Sequence, residues 1–120
     1  MKRRITTRRW FLVGSVGFLA AWEPYPVSVN VVNASGEDVQ VRFAGRAGHE
    51  AWIEAKAEGD VPIGGFSYAS LCNPPDRWVP DHFTGLEIKL ADGSVVQVSR
   101  EAFEAEAEYR HHRWIYRFRG

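Results

Sequence analysis

The chain has 120 residues, and its 15 Lys and Arg balance 15 Asp and Glu, so its formal net charge is zero at neutral pH. The charges are unevenly placed: the first 22 residues hold five basic side chains and no acid, which leaves the remainder with 10 basic residues, 15 acidic residues and a net charge of −5. Affinity for nucleic acid comes largely from Lys and Arg that neutralise phosphates. The composition therefore argues against a nucleic-acid partner.

A basic cluster followed by an uncharged, largely apolar run opens the chain. The basic residues lie within positions 2–9, and the uncharged run extends from Trp10 to Trp22. A basic segment followed by about 7–15 apolar residues is typical of an export signal. The run is shorter than the about 20 residues that a membrane-spanning helix needs. We predict an export signal over 1–22, a short spacer over 23–26 and one domain over 27–120.

The segment 7–12, Thr-Arg-Arg-Trp-Phe-Leu, resembles the twin-arginine signal of exported bacterial proteins, Ser/Thr-Arg-Arg-x-Phe-Leu-Lys. Val13 stands where that pattern prefers lysine. The resemblance implies a bacterial protein that is folded before export and is then periplasmic or secreted, touching the membrane only transiently through its signal. The alternatives are a general secretory leader or a short signal anchor.

Two segments early in the domain alternate apolar and polar residues with the period of a β-strand. Val27, Val29 and Val31 are the apolar positions of the first segment, and the second runs from Val39 to Phe43. Turn-forming residues fill positions 33–38 between them. We predict that these two strands pair as a hairpin.

The rest of the chain predicts further short strands, over 49–57, 61–71, 86–90, 96–98 and 114–118. Gly64-Gly65 marks a bulge or bend, and Asp92-Gly93 indicates a tight hairpin. Ser99 can cap a short helix that extends to Arg110. The alternating rings of the last strand are predicted to be core, with a ligand-stacking face as the alternative; they are Trp114, Tyr116 and Phe118.

Short strands at regular spacing, with one late helix, predict an all-β fold with minor α content. We expect an antiparallel β-sandwich of six to seven strands, of immunoglobulin-like or transthyretin-like architecture, with one short helix before the C-terminal strand. This resemblance is one of architecture only and confers no function.

A long connection between Leu71 and Leu86 offers the strongest recognition signal. Its three prolines restrict the free loop, so less entropy is lost on binding. We predict a protein-binding surface in which two rings act as exposed anchors and two charges orient the partner at the rim; its residues are Arg77, Trp78, Asp81 and Phe83. The alternative is that both rings fold inward and cover the end of the sandwich.

Metal and nucleophile chemistry is weakly indicated. The single cysteine, Cys72, excludes an internal disulfide. Together with His49, His82 and the pair His111-His112 it supplies metal-ligating groups, but their spacing matches no zinc or cysteine-nucleophile signature. We expect the pair to close the helix as a basic cluster. We predict no enzyme activity, no metal site and no cofactor.

These observations predict an exported bacterial binding module that recognises a protein partner, in an inhibitor-like or immunity-like role. One alternative is a small metal-binding or redox protein that uses Cys72 and the histidines. Another is a structural subunit of an envelope assembly, which an exposed and uncharged edge strand would signal. The sequence leaves the oligomeric state open.

Overall fold

The computed structural model describes residues 25–45, 51–69 and 73–120. The predicted export signal therefore lies outside the described residues. The described part contains eight strands and one helix. In chain order they are β1 (Tyr25–Asn33), β2 (Val39–Phe43), β3 (Ile53–Ala55), β4 (Asp60–Tyr68), β5 (Gly85–Lys89), β6 (Val95–Ser99), α1 (Arg100–Glu106), β7 (Glu108–Arg110) and β8 (Arg113–Phe118). No helix in these ranges is long and apolar enough to cross a membrane.

The strands form two four-stranded sheets, ordered β4-β1-β8-β7 and β3-β2-β5-β6. Their apolar faces pack together, which confirms the predicted β-sandwich with a minor helix. One pair departs from the antiparallel pattern, because β1 and β8 run parallel in the middle of the first sheet. The strand count also exceeds the prediction, since β7 occupies what we expected to be the end of the helix.

The predicted hairpin between β1 and β2 is wrong. β1 pairs with β4 and β8, whereas β2 pairs with β3 and β5 in the other sheet. A buried side chain organises the corner between them: Asn33 Nδ2 donates to the carbonyls of Glu37 at 2.6 Å and Ala55 at 2.9 Å, and its Oδ1 accepts from the Ser35 hydroxyl at 2.7 Å. This corner carries the chain from one sheet to the other. The valines of β1 and those of β2 therefore enter the core from opposite sheets.

The helix begins as predicted but ends early. The Ser99 hydroxyl accepts a hydrogen bond from the Ala102 N–H at 3.1 Å, which is the N-cap geometry. After Glu106 the chain turns into β7, and His111 and His112, with φ of 52° and 62°, form the two-residue turn into β8. A turn with both central residues in this region matches the twist of a hairpin. The histidine pair is therefore a strand turn and not the end of a helix.

Aromatic rings fill the part of the core beside the helix. The Phe103 ring lies 4.9 Å from Phe83, 5.1 Å from Trp114 and 5.9 Å from Tyr116, measured between centroids. Trp114, Tyr116 and Phe118 are all buried, which confirms that the aromatic side of the last strand is core. Their burial argues against the alternative of a ligand-stacking face.

Substitution of Gly85 tests the register between β5 and β6. Its φ is +124°, and a Cβ placed on it would lie 2.0 Å from the Val98 carbonyl oxygen of the neighbouring strand. Gly36 also has a positive φ, of +87°, but a Cβ there meets nothing within 4 Å. We expect Gly85→Ala to lower the free energy of unfolding by at least about 3 kcal/mol and Gly36→Ala by about 1 kcal/mol. Urea unfolding of both variants checks this, and equal losses would contradict the β5–β6 register.

Candidate binding face

The predicted binding loop covers one end of the sandwich, and Phe83 is part of the core. Its ring is 3% exposed and lies 6.1 Å from the Phe43 ring and 5.6 Å from the Phe66 ring. The prediction that Phe83 is an exposed anchor is therefore wrong. The physical reason is that the open end of the sandwich needs a large apolar side chain to fill the space between the sheets.

Trp78 lies at the boundary between core and solvent. It is half-buried, and its ring contacts Tyr68 at 5.0 Å and Phe66 at 6.4 Å in edge-to-face geometry. Its carbonyl accepts a hydrogen bond from Trp114 Nε1 at 2.9 Å. The ring of Trp78 is therefore held in place while part of it stays open to solvent.

The two predicted rim charges differ in their roles. The Arg77 guanidinium lies 4.9 Å from the centroid of the Trp114 ring and donates to the carbonyls of Glu104 and Ala107, the latter at 3.5 Å. Such carbonyls at a helix C-terminus favour a cation. Arg77 thus ties the loop to α1 while remaining exposed, and Asp81 is exposed as well.

Arg100, at the start of α1, holds the second half of the loop through its guanidinium. Its Nη1 lies 3.1 Å from the carbonyl oxygens of Pro80 and Asp81 and 3.2 Å from that of Phe83. Its Nε donates to Glu104 Oε2 at 2.8 Å. No local sequence pattern indicates these contacts, because they join residues 17 to 20 positions apart.

An apolar opening lies between this loop and the end of β4, and we call it the aromatic cleft. Its volume is about 400 Å³. It is lined by Phe43, Ala44, Ile63, Gly64, Gly65, Phe66, Ser67, Pro80, His82, Phe83 and Thr84. A Cβ on Gly64 would lie 2.9 Å from the Phe43 ring, so this glycine makes room for the ring. Sequence reasoning singled out Gly64-Gly65 as a bulge but missed its place beside a cleft.

Two acidic side chains are exposed on the loop at this end of the molecule. Asp76 and Asp81 are exposed on the loop, and His82 is exposed beside them. Burial of the Tyr109 hydroxyl, and secondarily the nearby Asp76 carboxylate, raise the pKa of that phenol. Asp76 and Asp81 outnumber the exposed Arg77, so the loop over 73–84 carries a formal net charge of −1 at neutral pH, with histidine counted as neutral.

The metal and redox candidates do not converge in the part of the chain that the structure describes. Within 25–45, 51–69 and 73–120 there is no group of three or more His, Cys, Asp or Glu that could hold a metal ion. His82 lies on the rim of the aromatic cleft, with its ring 6.1 Å from Phe66. Cys72 and His49 lie outside the described residues, so the alternative that uses Cys72 and the histidines stays a prediction.

No protein-family model matches the chain, and no curated protein matches it. What this face does has to be argued from its own geometry. That geometry consists of a fixed loop, partly exposed rings, an apolar cleft and an acidic rim.

The role of Arg100 in fixing the loop can be tested by truncation. We expect Arg100→Ala to destabilise the protein by about 1–3 kcal/mol, because three carbonyls lose a charged donor. Amide hydrogen exchange over residues 78–84 should accelerate. Arg110→Ala is the matched control, since Arg110 pairs with Glu108 while both side chains are more than half exposed. Equal exchange rates in the two variants would show that Arg100 does not hold the loop.

Proposed function

We propose that this chain is an exported bacterial β-sandwich protein that binds a protein partner outside the cytoplasm through the aromatic cleft and its rim. One observation carries the proposal: the half-buried rings of Phe66, Tyr68 and Trp78 contact one another and continue into an apolar cleft. Partly exposed, mutually packed aromatic side chains are the typical anchors of protein interfaces.

The rigidity of this face favours binding. Ordering mobile side chains and loops at an interface costs about 0.5–1.5 kcal/mol for each flexible side chain. Here the loop backbone is already held by Arg100 and by Trp114 Nε1. A cleft of about 400 Å³ accommodates one large apolar side chain of a partner.

The charge of the face indicates the chemistry of the partner. Asp76 and Asp81 lie on the loop, and the chain beyond residue 22 carries a net charge of −5. Complementary charge speeds association and sets orientation. The fitting partner presents an apolar side chain flanked by Lys or Arg. An inhibitor-like or immunity-like protein, whose acidic face enters a basic site, is one form of this function.

The exposed edge of β4 adds a backbone contact to the proposal. β4 forms the edge of the first sheet, and its second half, Gly64 to Tyr68, runs beside the cleft. Its first half carries Pro62 and a register shift opposite Asn30, and both hinder strand pairing. An extended segment of the partner could pair with the second half while one side chain enters the cleft.

We propose a binding function without catalysis, metal or cofactor. The lining of the aromatic cleft is mostly apolar, and its polar side chains are those of Ser67, His82 and Thr84. A mostly apolar lining suits recognition of an apolar side chain.

A second candidate function, a subunit of an envelope assembly, is favoured by a different observation. β6 is an edge strand with the uncharged sequence Val-Val-Gln-Val-Ser, and its Val95 is 43% exposed. An unprotected edge of this kind can pair with another chain. This candidate uses the side of the sandwich that carries β6 and not the aromatic cleft.

Substitution of Trp78 tests the proposed binding face. We expect Trp78→Ala to reduce partner recovery at least tenfold when the protein is purified from the envelope of cells that express the full-length gene, because loss of an anchor ring costs about 2 kcal/mol or more. Trp52→Ala is the matched control. Trp52 is also half-buried, but it lies beside the other sheet, where the Arg42 guanidinium carbon is 3.9 Å from the centroid of the Trp52 ring.

Thermal unfolding of both variants separates binding from stability. If both variants lose the same partners, and each loss follows the fall in melting temperature of that variant, the effect is due to folding and not to binding. Equal recovery from Trp78→Ala and the wild type would remove the aromatic end from consideration.

A further inference from the structure

The four edge strands that the described residues form are not equally protected against pairing with another chain. β3 and β7 have three residues each and carry Glu54 and the Glu108–Arg110 ion pair. β4 carries Pro62 and its register shift. Short length, charge, proline and bulges are the features that blunt an edge. β6, with five uncharged residues and no proline, has none of these features.

The β5–β6 register fixes which backbone groups β6 presents. The Leu90 N–H donates to the Ser94 carbonyl at 2.8 Å, so this pair is hydrogen-bonded. Hydrogen-bonded pairs alternate along an antiparallel ladder, so Val96 and Val98 bond to β5. The N–H and C=O groups of Val95 and Gln97 therefore point to the open edge.

A second opening lies between this edge and β8, and we call it the edge cleft. Its volume is about 670 Å³. It is lined by Val96, Gln97, Val98, Ala102, Glu106, Glu108, Ile115, Tyr116, Arg117, Phe118, Arg119 and Gly120. All of these residues belong to the described part of the chain. The valines of β6 form one wall, and β8 forms the other.

We propose that β6 pairs with β6 of a second copy of this chain, antiparallel about a two-fold axis at Gln97. The strand is self-complementary in that register. Gln97 lies opposite Gln97 of the second copy, where both residues direct their backbone groups outward, and Val96 lies opposite Val98 of the second copy. The valine pairs close the edge clefts. The β3-β2-β5-β6 sheets of the two copies then join into a single sheet of eight strands. This inference is independent of the proposed function at the aromatic cleft.

The charges of the edge cleft support a second copy as the occupant. Glu108 lies beside Ile115 in the ladder, and Glu106 Oε1 accepts from the Tyr116 hydroxyl at 3.3 Å. Arg117 lies farther along β8 and Arg119 directly follows that strand, and neither forms an ion pair among the described residues. The two ends of the cleft are therefore opposite in charge. A two-fold axis reverses one copy end to end, which brings the acidic end of each copy toward the basic end of the other.

Charge substitutions at the axis test this pairing. We expect sedimentation of the full-length gene product, as recovered from cells, to show a dimer that dissociates on dilution. Gln97→Lys and Gln97→Glu should each raise its dissociation constant about five-fold, because like charges lie directly opposite across the axis. An equimolar mixture of the two variants should restore association to the wild-type level or better. Gln40→Lys, an exposed position on the inner strand β2, is the matched control and should leave the dimer unchanged.

Thermal unfolding of the variants excludes loss of folding as the cause, since the Gln97 side chain also donates to Glu87 Oε2 at 3.1 Å. A monomer across about a hundredfold range of micromolar concentrations would overturn the proposal. A dimer insensitive to both substitutions at position 97 would do the same, as would an assembly larger than two copies.

Discussion

The contacts of one arginine determine how the open end of this sandwich is closed. Arg100 stands at the start of the helix, and its guanidinium reaches the carbonyls of Pro80, Asp81 and Phe83. A loop without regular structure has unpaired backbone carbonyls, and a charged donor satisfies several of them at once. With this loop fixed, Phe83 fills the core, and the rings around Trp78 stand in defined positions beside the aromatic cleft.

Local patterns predicted the strands but not their partners. Alternation correctly located β1, β2, β5, β6 and β8, because burial of one sheet face produces a period of two in the sequence. The wrong hairpin between β1 and β2 arose because six turn-forming residues suit a corner as well as a hairpin. The deciding feature was Asn33, whose amide is buried against a carbonyl 22 positions away. The β7 strand was missed because it follows the helix directly and its three residues are too few to establish a period of two.

The site was predictable in location but not in detail. Prolines and rings identified the loop, and Trp78 and Asp81 do reach its surface. Phe83 turns inward, and Arg77, although exposed, donates to carbonyls at the end of α1. The space between the sheets and the carbonyls at the end of the helix are tertiary features that no spacing in the sequence reveals. The same holds for the aromatic cleft, whose Phe43 and Phe66 come from different sheets.

Site-specific photo-crosslinking in intact cells tests the central claim most directly. A photoreactive phenylalanine analogue at His82, on the rim of the aromatic cleft, should form a discrete covalent adduct with a partner protein. The same analogue at Glu37, exposed at the corner between β1 and β2 at the other end of the sandwich, should not form that adduct. Absence of any adduct from position 82, or the same adducts from both positions, would contradict the assignment of the aromatic end as a binding face.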